Sequence, residues 1–184
     1  MKATEQLKAE HQGILLMLQI LEAMCRRLES GKEVAAGDLD SVVEFLRVFV
    51  DKCHHGKEED VLFPAMVEAG LPREGGPIGV MLAEHNAGRD YVKRISEAVA
   101  EYGAGRRDAA PGIVEHARGY ISLLNIHIQK EDGVLYALAD MHLSDAHQDV
   151  LAEEFEKIER DRIGPGRHEQ FHELLKQLKR KYLR

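Results

Sequence analysis

His127-x-x-x-Glu131 sets an imidazole and a carboxylate four residues apart inside a long apolar-periodic run, and on a helix four residues share one face. The same pattern stands seventy-two residues earlier as His55-x-x-x-Glu59. Each copy follows, at a similar distance, one tripeptide: Ala9-Glu10-His11 and Ala83-Glu84-His85. The chain therefore reads as two related helical hairpins, each giving one lone His and one His/Glu pair. Imidazoles and carboxylates on an inward stripe cost free energy unless something satisfies them, and a metal removes that penalty. A hydrogen bond explains any one of these His residues; His11, His55, His85, His127, Glu59 and Glu131 together make a metal-site inventory.

Counting donors gives two ions. His11 and His55 are assigned to one and His85 and His127 to the other, with Glu59 and Glu131 bridging through both oxygens. A solvent-derived oxo or hydroxo bridge brings each ion to five ligands and leaves an octahedral position open, as a reactive site requires. Mixed imidazole and carboxylate ligation suits iron first, then manganese or zinc.

Four long helices must position these groups. Leu7, His11, Ile14, Leu18 and Leu21 recur at helical spacing, so the first helix is expected from Thr4 to Glu29, ending at Ser30-Gly31. Asp38 caps a second, from Leu39 to Glu68, which Pro64 should kink or break near the preceding turn. The breaker-rich loop Gly70 to Pro77 joins the hairpins. The third helix is predicted from Ile78 to Tyr102 and the fourth from Asp108 to Asp140. Short connections make neighbours antiparallel, so the fold class is all-α, an up-down-up-down four-helix bundle over residues 1–142. Residues 143–184 are read as a helical appendage packed on it, Ala146 to Arg160 and His168 to Leu183, broken at Gly164-Pro165-Gly166. Its basic end, Lys176, Lys179, Arg180, Lys181 and Arg184, suits a helix C-terminus.

With His11, the His55-x-x-x-Glu59 segment running into Val61-Leu62-Phe63-Pro64, His85, and His127-x-x-x-Glu131, the chain resembles the hemerythrin-like (HHE cation-binding) family. The resemblance implies a non-haem di-iron centre that handles dioxygen, nitric oxide or peroxide, or that senses iron and redox state. Two departures from the oxygen-carrying branch stand out. Arg89 occupies the place of a second His one turn after the third-helix His, which removes a donor. Asp132, at the position where carriers have a ligand Asp, lies about 140° from His127 on an α-helix, against about 40° for Glu131. Glu131 is therefore preferred, unless a π-bulge intervenes.

His54 and Glu58 repeat the His/Glu spacing one residue earlier. Leu62, Phe63 and Met66 give Glu59 the better inward stripe, so His55 and Glu59 are preferred. Glu58, Asp132, Arg89 and Tyr120 are placed around the ligands as partners, Tyr120 lying two turns before His127 on the same face. Glu10 and Glu84 point away from the ions, and His116, His142, His147, His168 and His172 fall off the pattern.

The function classes left open are binding or sensing of a small ligand, turnover of peroxide or repair of iron centres, and an iron-responsive interaction module. The formal charge of −7 is unclustered and the basic tail lacks interleaved aromatics, so no nucleic-acid partner is expected. The N-terminus carries a charge every few residues and no run approaches a membrane span, which argues against a signal peptide and a membrane location. Cys25 and Cys53 fit no paired motif, and the expected location is cytoplasmic.

Overall fold

The computed structural model describes residues 1–183, all-α, with no strand among them. Helix α1 is Ala3–Glu29. Helix α2 covers residues 36–68 in four stretches: α-helical Ala36–Phe45, π-helical Leu46–His55 and Glu58–Leu62, and α-helical Phe63–Glu68. Helix α3 is Pro77–Gly103. A 3-10 turn, Arg107–Ala109, leads into α4 over residues 110–142, where a π turn, Glu131–Leu135, interrupts Ala110–Lys130 and Tyr136–His142. These four form the antiparallel bundle, with α4 packed on α1 and α3, and α3 on α2.

The irregularity expected before Pro64 takes the form of a π turn, closed by the Phe63 N–H on the Glu58 carbonyl. Pro64 then falls in the first turn of the last α-helical stretch, where a missing N–H costs no bond.

Helix α5, Asp145–Ile158, starts at Ser144, whose Oγ accepts the His147 N–H at 3.2 Å, and closes in a π turn, Glu159–Ile163. Gly164 and Gly166, at φ 99° and 77°, then reverse the chain in a conformation L side chains disfavour. Helix α6, Arg167–Tyr182, lays Phe171, Leu175 and Leu178 into the bundle core. Lys181 and Tyr182 both bond Asp38 at the start of α2; Arg184, grouped with these basic residues by sequence, lies outside the described residues. No described helix is long and apolar enough to cross a membrane.

The apolar core is in two parts. One holds Ile14 to Leu28, Phe45, Phe49, Val92 to Tyr102 and Ile113 to Leu124; the other holds Leu7, Leu62, Phe63, Met81, Leu135, Tyr136 and Phe155. Between them lies a belt of buried polar side chains: His11, His54, His55, Glu58, His85, His127 and Glu131.

Candidate metal centre

The belt divides into two donor sets. In the first, His11, His54 and Glu131 bring one ligand atom each within 4.8 Å of the others; in the second, His55, Glu58, His85 and His127 do the same. His11 Nε2 faces His54 Nε2 at 3.0 Å and Glu131 Oε2 at 3.1 Å. His127 Nε2 lies 2.8 Å from Glu131 Oε1, and His85 Nε2 lies 3.3 Å from Glu58 Oε2. Each glutamate reaches both sets, since Glu58 Oε2 is also 3.9 Å from His54 Nε2.

The outward ring nitrogens decide what the inward ones can do. His11 Nδ1–H donates to Asp132 and His54 Nδ1–H to Glu10, both at 2.8 Å. His85 Nδ1–H donates to Glu59 at 2.7 Å and His127 Nδ1–H to Glu84 at 2.8 Å. Each neutral imidazole then presents the Nε2 lone pair inward, in the tautomer a metal needs. Lys57 holds Glu10, Lys130 holds Glu84, and Arg89 holds Glu59 at 2.8 Å.

Buried atoms of the belt lack hydrogen-bond partners: both nitrogens of His55, whose Nδ1 faces Asp51 at 3.6 Å, Nε2 of His85 and His127, Glu58 Oε2, and both oxygens of Glu131. Buried polar atoms are rarely left so, and two lone-pair nitrogens 3.0 Å apart repel unless a cation lies between them. The residues fit bound metal.

Electrostatics point the same way. Burial lowers the pKa of His11, but Asp132 and Glu131 outweigh it and raise it to about 9. Burial lowers that of His85 too, and contacts with Glu131, Glu58 and Glu59 carry it up to about 11. Burial raises the Glu131 carboxyl, while His11, His127 and His85 hold it well below the usual carboxylate range. His55 goes the other way: burial and the cation-forming neighbour His85 push it well down, leaving it a neutral donor. The belt concentrates negative charge and keeps positive charge opposite it, as protons or as metal.

Several expectations change. Glu58, fully buried, occupies the inward position, and Glu59, with its side chain 24% exposed, turns outward to His85 Nδ1 and Arg89. His54 joins the belt beside His55, and His11 pairs with His54 rather than His55. The reason is backbone register. A spacing of four drifts about 40° per step on an α-helix, so 54, 58, 62 and 66 could not share a face there. The π turns of α2 add a residue per turn and straighten that row, and they bring in both members of the His54-His55 pair. The same device in α4 keeps His127, Glu131, Leu135 and Ala139 inward, so the π turn leaves Glu131 in place and Asp132 on His11. His55 stands where it can replace the donor missing at Arg89, which reaches no inward position and bonds Asp51 and Glu59.

Tyr120 bonds no ligand of the belt; it lines a cavity of about 290 Å³ that reaches His55. The tyrosine that touches the belt is Tyr136, whose hydroxyl donates to Glu58 Oε1 at 2.6 Å and whose ring stacks on His11. A signal for this register exists. His54-x-x-Lys57-Glu58-Glu59-x-Val61-Leu62-Phe63 and His127-x-x-Lys130-Glu131-Asp132-x-Val134-Leu135-Tyr136 are identical at His, Lys, the first acidic residue, Val and Leu, with Glu59 against Asp132 and Phe63 against Tyr136. That ten-residue match outweighs the shorter one that begins at His55.

Comparison with known proteins agrees with this geometry. Three uncharacterized proteins, one from Mycobacterium bovis and two from the CDC 1551 and H37Rv strains of Mycobacterium tuberculosis, are each 28% identical over 163 residues, 88% of this chain. The chain spans 63% of the length of these curated relatives. No solved structure matches. The family model of the hemerythrin HHE cation binding domain matches residues 2–139, the whole polar belt and all of the bundle but the last three residues of α4, and the chain belongs to that family.

Proposed function

We propose that the protein holds two iron ions, one in each donor set, and binds or reacts with a small diatomic or peroxide ligand: dioxygen, nitric oxide or hydrogen peroxide. The carrying observation is the set of inward, partnerless atoms on His55, Glu58, His85, His127 and Glu131. Iron in such a site supplies redox and Lewis-acid chemistry to a ligand at an open position. Glu58 and Glu131 span both sets and support a paired centre with a solvent-derived bridge.

The two sets differ in access. His11 and His54 are buried, with the Tyr136 hydroxyl 3.4 Å from His11 Nε2. His55 forms the inner wall of the cavity between α2 and α3, with Arg47, Arg89 and Lys93 around it. An incoming molecule therefore meets the His55, His85 and His127 side first. Burial, reinforced by Asp51, raises the Tyr120 hydroxyl above its ordinary pKa, so it remains an O–H donor at the cavity wall. This route favours a ligand-binding role over a purely structural iron module. Cys25 and Cys53 are buried free thiols, which suits a reducing, cytoplasmic setting.

Anaerobic purification, metal analysis and optical spectra under air, nitric oxide and peroxide test the proposal. Two irons per chain and a spectrum that changes with at least one ligand are expected. A protein that takes up no iron, or loads two irons and responds to none of the three, would refute it. Steady loss of peroxide would assign turnover, and a reversible change without loss would assign binding.

A further inference from the structure

Lys57 is an ammonium with no exposed surface, and the groups that satisfy it come from two different parts of the molecule. Glu10 of α1 accepts from it with one oxygen and from His54 Nδ1 with the other. Glu159, in the π turn that closes α5, accepts from it on a second side, and the Phe155 ring lies 5.6 Å from Nζ. The repeat supplies a comparison. Lys130 is bonded to Glu84, which holds His127 Nδ1 in the same way, but the Lys130 side chain is 42% exposed and makes no hydrogen bond or ion pair with a residue of α5 or α6. One hairpin finishes its chain of hydrogen bonds in water; the other finishes it on a carboxylate from outside the bundle.

We propose that Glu159 is a positioning residue for His54, so that through Lys57 and Glu10 the C-terminal helices set how firmly the His11, His54 and Glu131 set grips its ion. The inference rests on the reading that the belt holds two ions. Without Glu159, Lys57 has Glu10 as its one remaining anionic partner and must either draw that carboxylate toward itself or leave for solvent. The first movement takes the acceptor away from His54 Nδ1–H, and the second strips Glu10 of the ammonium that anchors it; both loosen the hold on the ring. Loss of such an outer partner weakens a metal site by about 10–100-fold. No hydrogen bond links the histidines of the second set to Glu159: His85 and His127 are held by Glu59 and Glu84, and His55 Nδ1 faces Asp51 at 3.6 Å.

The test is anaerobic titration of the full-length chain with ferrous iron against a competing chelator, for native protein, Glu159→Ala, Glu159→Gln and Glu159→Asp. Helicity is followed by circular dichroism. Glu154→Ala, on the exposed face of α5 with Lys157, serves as a control. The expected result is two binding steps in native protein and in the control. In Glu159→Ala and Glu159→Gln one step should weaken by about 10–100-fold, with native helicity and partial recovery in Glu159→Asp. In zinc-loaded protein the His54 Nδ1–H resonance should move in Glu159→Gln while that of His127 stays. Native affinity at both steps in the Glu159 variants overturns the inference and leaves the two-ion reading standing, as does equal weakening of both. Fewer than two steps in native protein overturns both. Glu159→Gln keeps the side chain's size, so the experiment survives if the alanine variant does not fold.

Discussion

Glu58 and Glu59 are neighbours with opposite duties, and substitutions should separate them. Glu58→Ala and Glu131→Ala each remove a group that reaches both donor sets, so metal analysis should find at most one ion per chain. Glu59→Ala removes the acceptor of His85 Nδ1–H; it should retain metal at stoichiometric loading but bind it about 10–100-fold more weakly. Tyr136→Phe leaves Glu58 Oε1 without its donor in a buried site, at a cost of about 1–3 kcal/mol in urea denaturation of the metal-free protein. Cys25 gives a pH signature away from the belt. Burial pushes its thiol to about 12. The folded state thus holds this proton more tightly than the unfolded chain, and stability must fall as pH rises past the unfolded thiol's range. Cys25 should contribute a loss of about 1–2 kcal/mol by pH 10, read as the amount by which the fall in urea stability between pH 8 and 10 shrinks in Cys25→Ala; Cys53, whose thiol burial also pushes to about 12, keeps its own share.

At the scale of elements, helix existence and approximate ends follow from apolar periodicity, because that signal is local; Asp38, read as the cap of α2, instead lies in its first turn, behind an uncapped start at Ala36. Ser144 and the Gly164-Pro165-Gly166 break act as read from the sequence. The identity of the inward glutamate on α2 was a matter of register, and register was set by π turns that no local residue type announces. An α-helical wheel applied to Leu62, Phe63 and Met66 selects Glu59 for that reason. On α4 the same wheel selects Glu131, and the structure keeps it buried in the belt, since a single π turn begins at that residue and leaves the His127 to Glu131 step unchanged. Where α4 faces α3, a Cβ added at Gly119 would lie 2.7 Å from Tyr91 Cζ. Gly119→Ala should therefore force the Tyr91 ring aside and cost about 1–3 kcal/mol. Gly112→Ala, whose Cβ would sit 3.8 Å from that of Ala98, should gain roughly 0.5–1 kcal/mol. Thermal melts of the two metal-free variants would show opposite signs.

For the whole molecule, the polar belt divides one apolar core into two, so cohesion across the middle depends on what satisfies it. Metal bound at about a thousand times its dissociation constant contributes about 4 kcal/mol, which for a chain of this size is roughly 10 °C. Chelation should lower the melting temperature by that order, and restored iron should recover it. The donor sets also straddle the internal repeat. His11 and His54 come from the first hairpin and take Glu131 from the second, while His85 and His127 come from the second and take His55 and Glu58 from the first. Were the backbone severed between residues 70 and 76, each fragment would own an incomplete claw for both cations. Iron would then act as a rivet between two separate peptides, and reassembly of the pieces would become a titration of the ion itself.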